Sequence, residues 1–323
     1  MVYSASGDVT RAASGLSLEQ SAHTLALSRS GRFLGVMHAF GTAEARLYDW
    51  QERRLLRTVM QKKGGLPNLV FSADEAVMVT SSENEVTITP TDPSQPEAKI
   101  NIGTAGLISA IAVHPHQPFI IASYDAGEVA VIDISRLVMM SPMATAQTEP
   151  FDVWLAKAQR GIGPTGYRPN EIVRALSFSP DGRLLFAGVM EGIRVYNWDE
   201  VLSSGKTLPR PVASAKNELI TTSNRTRFQS THCLAFDSER DLVLFAGLEG
   251  KIRYLDLNNG QEGALMTLPD EPSIYRMHLS SNKTGLCTSS VRNLFDRGRS
   301  VELHFWDYQR LLDKSFSKVV TLF

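Results

Sequence analysis

The chain is poor in cysteine, in uninterrupted apolar stretches and in any excess of one charge. Only Cys233 and Cys287 occur among its 323 residues. Two thiols cannot build a disulfide framework, and such usage fits a reducing, intracellular compartment, the cytoplasm first with the nucleus left open. The best apolar stretch, around 108–123, is broken by His114, Pro115, His116 and Pro118. It falls short of the ~20 residues a spanning helix needs, so no membrane insertion is expected. The opening MVYSASGDVTRAASG lacks a basic n-region and an apolar h-region, so no secretory signal is expected either. Lys and Arg number 33 against 34 Asp and Glu, which argues against the broad positive field of a dedicated nucleic-acid binder. What is present is ordinary for a globular protein: 43% apolar and 21% charged residues, which exclude disordered, collagen-like and coiled-coil chains.

The apolar residues recur in a long period. Six first runs read Leu25-Ala-Leu27, Leu69-Val-Phe71, Ile111-Ala-Val113, Leu176-Ser-Phe178, Leu234-Ala-Phe236 and Met277-His-Leu279. Each leads through a polar hairpin to a second apolar run and then to a third. The third runs are ARLYDW, VTITPT, VAVIDI, IRVYNW, IRYLDL and LHFWDY. Steps between first runs are 44, 42, 65, 58 and 43 residues, a unit of 42–44 carrying two insertions. Alternation of apolar residues marks strands with one face on a core. Ser179-Pro-Asp-Gly182, Glu191-Gly192 and Glu249-Gly250 supply turn chemistry between them. With weaker fourth runs at 55–59 and 264–268, the unit is a four-stranded antiparallel blade, and blades that cannot bury both faces alone must pack around an axis.

The expected fold is therefore all-β: a single β-propeller domain spanning 1–323, with units starting near 21, 66, 107, 172, 230 and 273. Seven blades are favoured, the segments 1–20 and 313–323 closing the ring by pairing the two ends, with 319–323 as a first strand. Six blades are the alternative, with 319–323 as the fourth strand of the last unit. On its third runs the sequence resembles the WD-repeat family. Trp306-Asp307 is the literal dipeptide, and Tyr48-Asp49, Ile132-Asp133, Tyr196-Asn197 and Leu255-Asp256 share its register. The run 176–199, LSFSPDGRLLFAGVMEGIRVYNWD, reads through three strands of a family blade. The resemblance covers about 21–312 and departs in one respect: no Gly-His dipeptide occurs, so the family's His–Ser/Thr–Asp–Trp network is not assembled in its usual form. Pro90 also replaces an acidic position. The resemblance implies a protein–protein interaction scaffold, without enzymatic activity, in a larger complex.

Two insertions carry the candidate partner contacts. In the first, about 139–170, Phe151, Trp154, Leu155 and Ala158 fall at helical spacing, with Pro150 and Asp152 at the start and Arg160 and Gly161 at the end. A short helix is expected there, presenting Trp154 to a partner or packing it on the propeller's own rim. Arg160, Tyr167 and Arg168 are further candidates in the same insertion. The second, about 206–230, holds Lys206, Arg210, Lys216, Arg225 and Arg227 against Glu218, a local charge of about +4 that suits an acidic partner surface or phosphates, or is simply solvated. Arg210, Arg225 and Arg227 are its candidates.

Several catalytic-looking signals have bland explanations. Gly161-Ile-Gly-Pro-Thr-Gly166 matches GxGxxG, but does not run from a strand into a helix as a dinucleotide site requires. Gly205-Lys-Thr207 lacks the earlier glycine of a phosphate loop, Glu200 standing there. His114-Pro-His116 aligns with Ser179-Pro-Asp181 and reads as a turn, not a metal site. The other histidines lack ligand spacing, and both cysteines read as small strand residues. No catalytic residue, cofactor or metal is expected. The competing functional classes are a propeller hydrolase or lyase with a central-channel site, and a nucleic-acid or chromatin adaptor using the basic insertion.

Overall fold

The protein is described by a computed structural model, which covers residues 2–3, 9–10, 24–38, 44–61, 68–102, 107–124, 128–135, 153–157, 172–190, 192–204, 208–216, 220–222, 225–227, 230–268, 272–292 and 300–313. A two-stranded antiparallel pair, β1 (Val2–Tyr3) and β2 (Val9–Thr10), opens the chain. Blade 1 follows as β3 (Thr24–Leu27), β4 (Phe33–His38), β5 (Glu44–Asp49) and β6 (Arg54–Met60). Blade 2 comprises β7 (Asn68–Phe71), β8 (Val77–Ser82), β9 (Glu85–Pro90) and β10 (Ala98–Asn101). Blade 3 is β11 (Ile108–Val113), β12 (Phe119–Tyr124), β13 (Glu128–Asp133) and β14 (Val153–Lys157). Blade 4 is β15 (Val173–Phe178), β16 (Leu184–Val189), β17 (Gly192–Asn197), a short helix α1 (Trp198–Ser203) and β18 (Ala213–Lys216). A hairpin of β19 (Ile220–Thr222) and β20 (Arg225–Arg227) leads to blade 5: β21 (Thr231–Asp237), β22 (Leu242–Gly247), β23 (Lys251–Asp256) and β24 (Glu262–Thr267). Blade 6 has β25 (Ser273–Leu279), β26 (Gly285–Arg292) and β27 (Ser300–Asp307), followed by α2 (Tyr308–Leu312).

Every blade is an antiparallel meander, with neighbours in sequence as neighbours in the sheet. The first strands β3, β7, β11, β15, β21 and β25 pack each against the next, so they line the axis of a β-propeller. The core lies between blades rather than inside one. Leu47 and Met37 of blade 1 pack with Leu69 and Met78 of blade 2. Val79 and Ile88 meet Ile120 and Ile132 across the next interface, and Val131 meets Leu185 and Trp198 beyond it. Phe186 and Val195 join Val243 and Phe245; Leu244 and Ile252 join Met277 and Trp306. Each fully buried aliphatic side chain here contributes about 1.5–3 kcal/mol. Gly192 opens β17 at φ +139°, where a Cβ would run into the carbonyl of Ala215.

One element differs from its expected form. Residues 153–157 are not helical: β14 pairs antiparallel with β13, Ala130 opposite Leu155 and Val131 opposite Trp154. Two turns of apolar helix cannot compete with an open sheet edge whose backbone groups need partners, and Val153 and Trp154 have good strand propensity. The two helices that do form lie elsewhere. Asn197 and Asp307 cap them, their side chains accepting from the amides of Glu200 and Arg310.

Candidate functional site

A meander places its 1→2 and 3→4 connections at one end of each blade, and its 2→3 and 4→1 connections at the other. At the first end the described turns satisfy their own amides. Ser28, Ser72, Ser179 and Ser280 each follow a first strand, and each hydroxyl accepts from an amide five residues on, those of Phe33, Val77, Leu184 and Gly285. At the end of the third strand, Asp49, Asp133, Asn197, Asp256 and Asp307 accept from amides two or three residues later. The WD-register side chains, four carboxylates and the Asn197 amide, are thus turn acceptors. His114-Pro-His116 is a turn too. Its Nδ1 accepts from the amides of His116 at 3.1 Å and Gln117 at 2.9 Å. In blade 6, Trp306 Nε1 donates to Thr288 Oγ1 at 3.1 Å, and Ser290 Oγ pairs with His304 Nε2 at 3.0 Å.

The opposite end is built differently. In four successive blades the first strand carries one extra residue near its start, a bulge that sets Ser109, Arg174, His232 and Tyr275 at the shift in register. A bulge re-aims the side chain it frees, and here the freed residues form a continuous arc. Ser109 Oγ donates to the Val173 carbonyl at 2.6 Å, joining blades 3 and 4 beside Arg174. The His232 and Tyr275 rings approach to 5.2 Å between centroids. Arg276 Nη1 donates to the Tyr275 carbonyl at 3.1 Å. Burial, with the positive charges of Arg174 and Arg276 added, pushes the His232 imidazole down to about 4, so it is neutral at physiological pH. Beside it, Cys233 is buried, and desolvation pushes its thiol up to about 12, which makes it a core residue and no nucleophile. Among the described residues no group of three or more His, Cys, Asp and Glu is arranged to hold a metal. The arc offers two guanidinium groups, a neutral imidazole and a phenol, a donor set suited to carboxylates.

The fourth strands divide both insertions between the two ends. Trp154 lies on β14, within the sheet. Arg160, Tyr167 and Arg168 fall in the β14–β15 connection, outside the described residues. The basic insertion is cut by β18: Arg210, exposed, precedes it, whereas Arg225 and Arg227 follow it on β20, opposite Thr222 and Ile220. The local +4 is therefore not one patch. Arg225 and Arg227 belong to the 4→1 connection at the bulged end, and Arg210 to the 3→4 connection at the other. The arc itself escaped a reading based on insertions. Its signal was the column two residues ahead of the first runs, where Ser109, Arg174, His232 and Tyr275 align.

No family model and no curated protein matches this chain. Among solved structures it is similar to the β-propeller domain of Cps50 (Swd1) from Myceliophteria thermophila, with a TM-score of 0.63 over 90% of this chain and 84% of that one, at 12% sequence identity. At that identity the likeness establishes the fold: this chain is a β-propeller.

Proposed function

We propose that the protein is a non-enzymatic interaction scaffold that binds an acidic segment of a partner protein at the bulged end of the ring. The arc Ser109–Arg174–His232–Tyr275 carries this reading, because four blades repeat the same irregularity at one end of the channel and place unlike polar groups in one row. Arg174 and Arg276 supply charge-assisted donors, and His232 and Tyr275 a flat surface between them. Arg160, Tyr167 and Arg168 lie in sequence between β14 and β15, and Arg225 and Arg227 on the hairpin between β18 and β21, so these two connections start from the same end and hold further candidates. Trp154, on β14, and Arg210, in the connection at the opposite end, stand outside the arc. The near-neutral whole chain favours an acidic protein partner over nucleic acid, whose binding draws on a broad positive field.

The test compares the full chain with Arg174→Glu/Arg276→Glu and with Arg210→Glu in affinity purification from its own cells, alongside binding of a fluorescent polyglutamate peptide and a single-stranded oligonucleotide. Wild type and Arg210→Glu recover the same proteins and bind the peptide, and the double variant loses both. Equal recovery by all three proteins, or tighter binding of the oligonucleotide than of the peptide, overturns the proposal.

A further inference from the structure

Two cations of the arc stand without a counter-ion. Among the described residues neither Arg174 nor Arg276 forms an ion pair, whereas Arg32, Arg240 and Arg253 each hold a carboxylate at 3.1 Å or less. His232 stands between the two in ring order, because β15, β21 and β25 are the first strands of successive blades and pack each against the next. Its ring is half-buried against that of Tyr275, and among the described residues neither ring nitrogen makes a hydrogen bond. The rest of its surroundings bring little charge. β16 and β22, which also pack on β21, hold no titratable residue. On β21 itself, Cys233 is a buried thiol, and Asp237 lies at the far end, bonded to Arg240. β25 adds the Tyr275 phenol and Arg276 and, farther along, the exposed His278.

Resting on the reading of the arc as the site for an acidic segment, we infer that docking is coupled to protonation of His232. The imidazole takes up a proton when the segment binds, and binding tightens as pH falls. Carboxylates drawn to Arg174 and Arg276 lie on either side of blade 5, with the imidazole between them. In the free protein, burial and then the two positive charges push that imidazole down to about 4. Bound carboxylates neutralise both charges and give the ring N–H groups charge-assisted acceptors, which favour the imidazolium against the burial that remains. Opposite charge within hydrogen-bond reach thereby returns the bound ring to about the ordinary histidine value of 6.5. Because the bound value lies above the free one, affinity rises as pH falls through about 6.5 and the gain is absent by about pH 7.5. The coupling is reciprocal: proton and segment strengthen each other's binding by the same factor. Glutamate side chains ionise with a value of about 4.3, below this window, so the peptide's own charge is nearly constant across it.

Calorimetric titration of the full chain with the polyglutamate peptide at pH 7.5, 6.0 and 5.5, in buffers of different ionisation heat, reads affinity and proton uptake together. Affinity should rise about tenfold from pH 7.5 to 5.5, with at least about half a proton taken up at pH 6.0. His278→Gln should keep the rise, and His232→Gln should abolish it, whatever its affinity at pH 7.5. Should His232→Gln fail to fold, NMR titration of His232 in the unmutated protein decides: its midpoint with the peptide bound should lie at least about one pH unit above that of the free protein. A rise below about threefold in wild type, uptake below about half a proton, or a rise that survives in His232→Gln overturns the inference and leaves the arc as the binding site. Absence of peptide binding at every pH overturns the reading of the arc as well.

Discussion

Replacing His114 with alanine should cost about 3 kcal/mol of stability at pH 7.5, and the cost should shrink on acidification. His114 is a buried residue of the 1→2 turn of blade 3 that reaches into blade 4. Because its Nδ1 accepts two amide protons, the ring proton sits on Nε2, which donates to the Gly182 carbonyl at 3.0 Å. The ring lies 4.9 Å from Phe178 and 5.4 Å from Trp198, and Trp198 Nε1 donates to Gln117 at 2.8 Å from the same turn. Three hydrogen bonds are worth about 1 kcal/mol each, partly regained from water after truncation, and the ring contacts add about 0.5–1.5 kcal/mol. For a chain of this length a loss of 3 kcal/mol lowers Tm by about 4–5 °C. Protonation of Nδ1 breaks the two amide bonds, and burial lowers the imidazole pKa, with the neighbouring His116 adding to the effect against the bond to Gly182. A depressed folded-state pKa means that the stabilisation is complete above the unfolded value of about 6.5 and disappears as pH falls through the folded value. Urea unfolding of wild type and His114→Ala between pH 7.5 and 4.5 measures both effects. A cost below about 1 kcal/mol at pH 7.5, or a difference that grows as pH falls, refutes the argument.

Gly182→Ala should cost at least about 2 kcal/mol, since Gly182 has φ +75° and an added Cβ overlaps the His114 ring; Gly260→Ala, at φ +71° with open space around it, should cost only about 1 kcal/mol in the same denaturation assay. His232 should titrate near pH 4 by NMR, and Arg276→Ala should move its midpoint upward by removing one of the two neighbouring positive charges; a wild-type midpoint at or above 6 contradicts the described environment.

The repeat was legible because strand alternation and turn chemistry are local. The six first runs, the six third runs and the acidic turn positions after them all fall where alignment puts them, and the His114-Pro-His116 turn follows from its alignment with Ser179-Pro-Asp181. The segment around Trp154 was not legible, since its helical spacing and its strand propensity compete on equal terms in isolation. The unpaired edge of β13 settles that competition, and nothing within 151–160 encodes it. Helices α1 and α2 are too short to show a period, and only their caps, Asn197 and Asp307, mark them.

By itself, then, the sequence determined an all-β ring of repeated meanders, stabilised without disulfides and carrying two long insertions. Both follow from periodicity and composition, which need no knowledge of distant contacts. Tertiary structure decided which end of the ring each insertion joins, because only strand pairing shows that β18 separates Arg210 from Arg225 and Arg227. It also decided that Ser109, Arg174, His232 and Tyr275 stand in one row, since a bulge is a property of two paired strands and of neither alone. The surface proposed to bind a partner is a consequence of register.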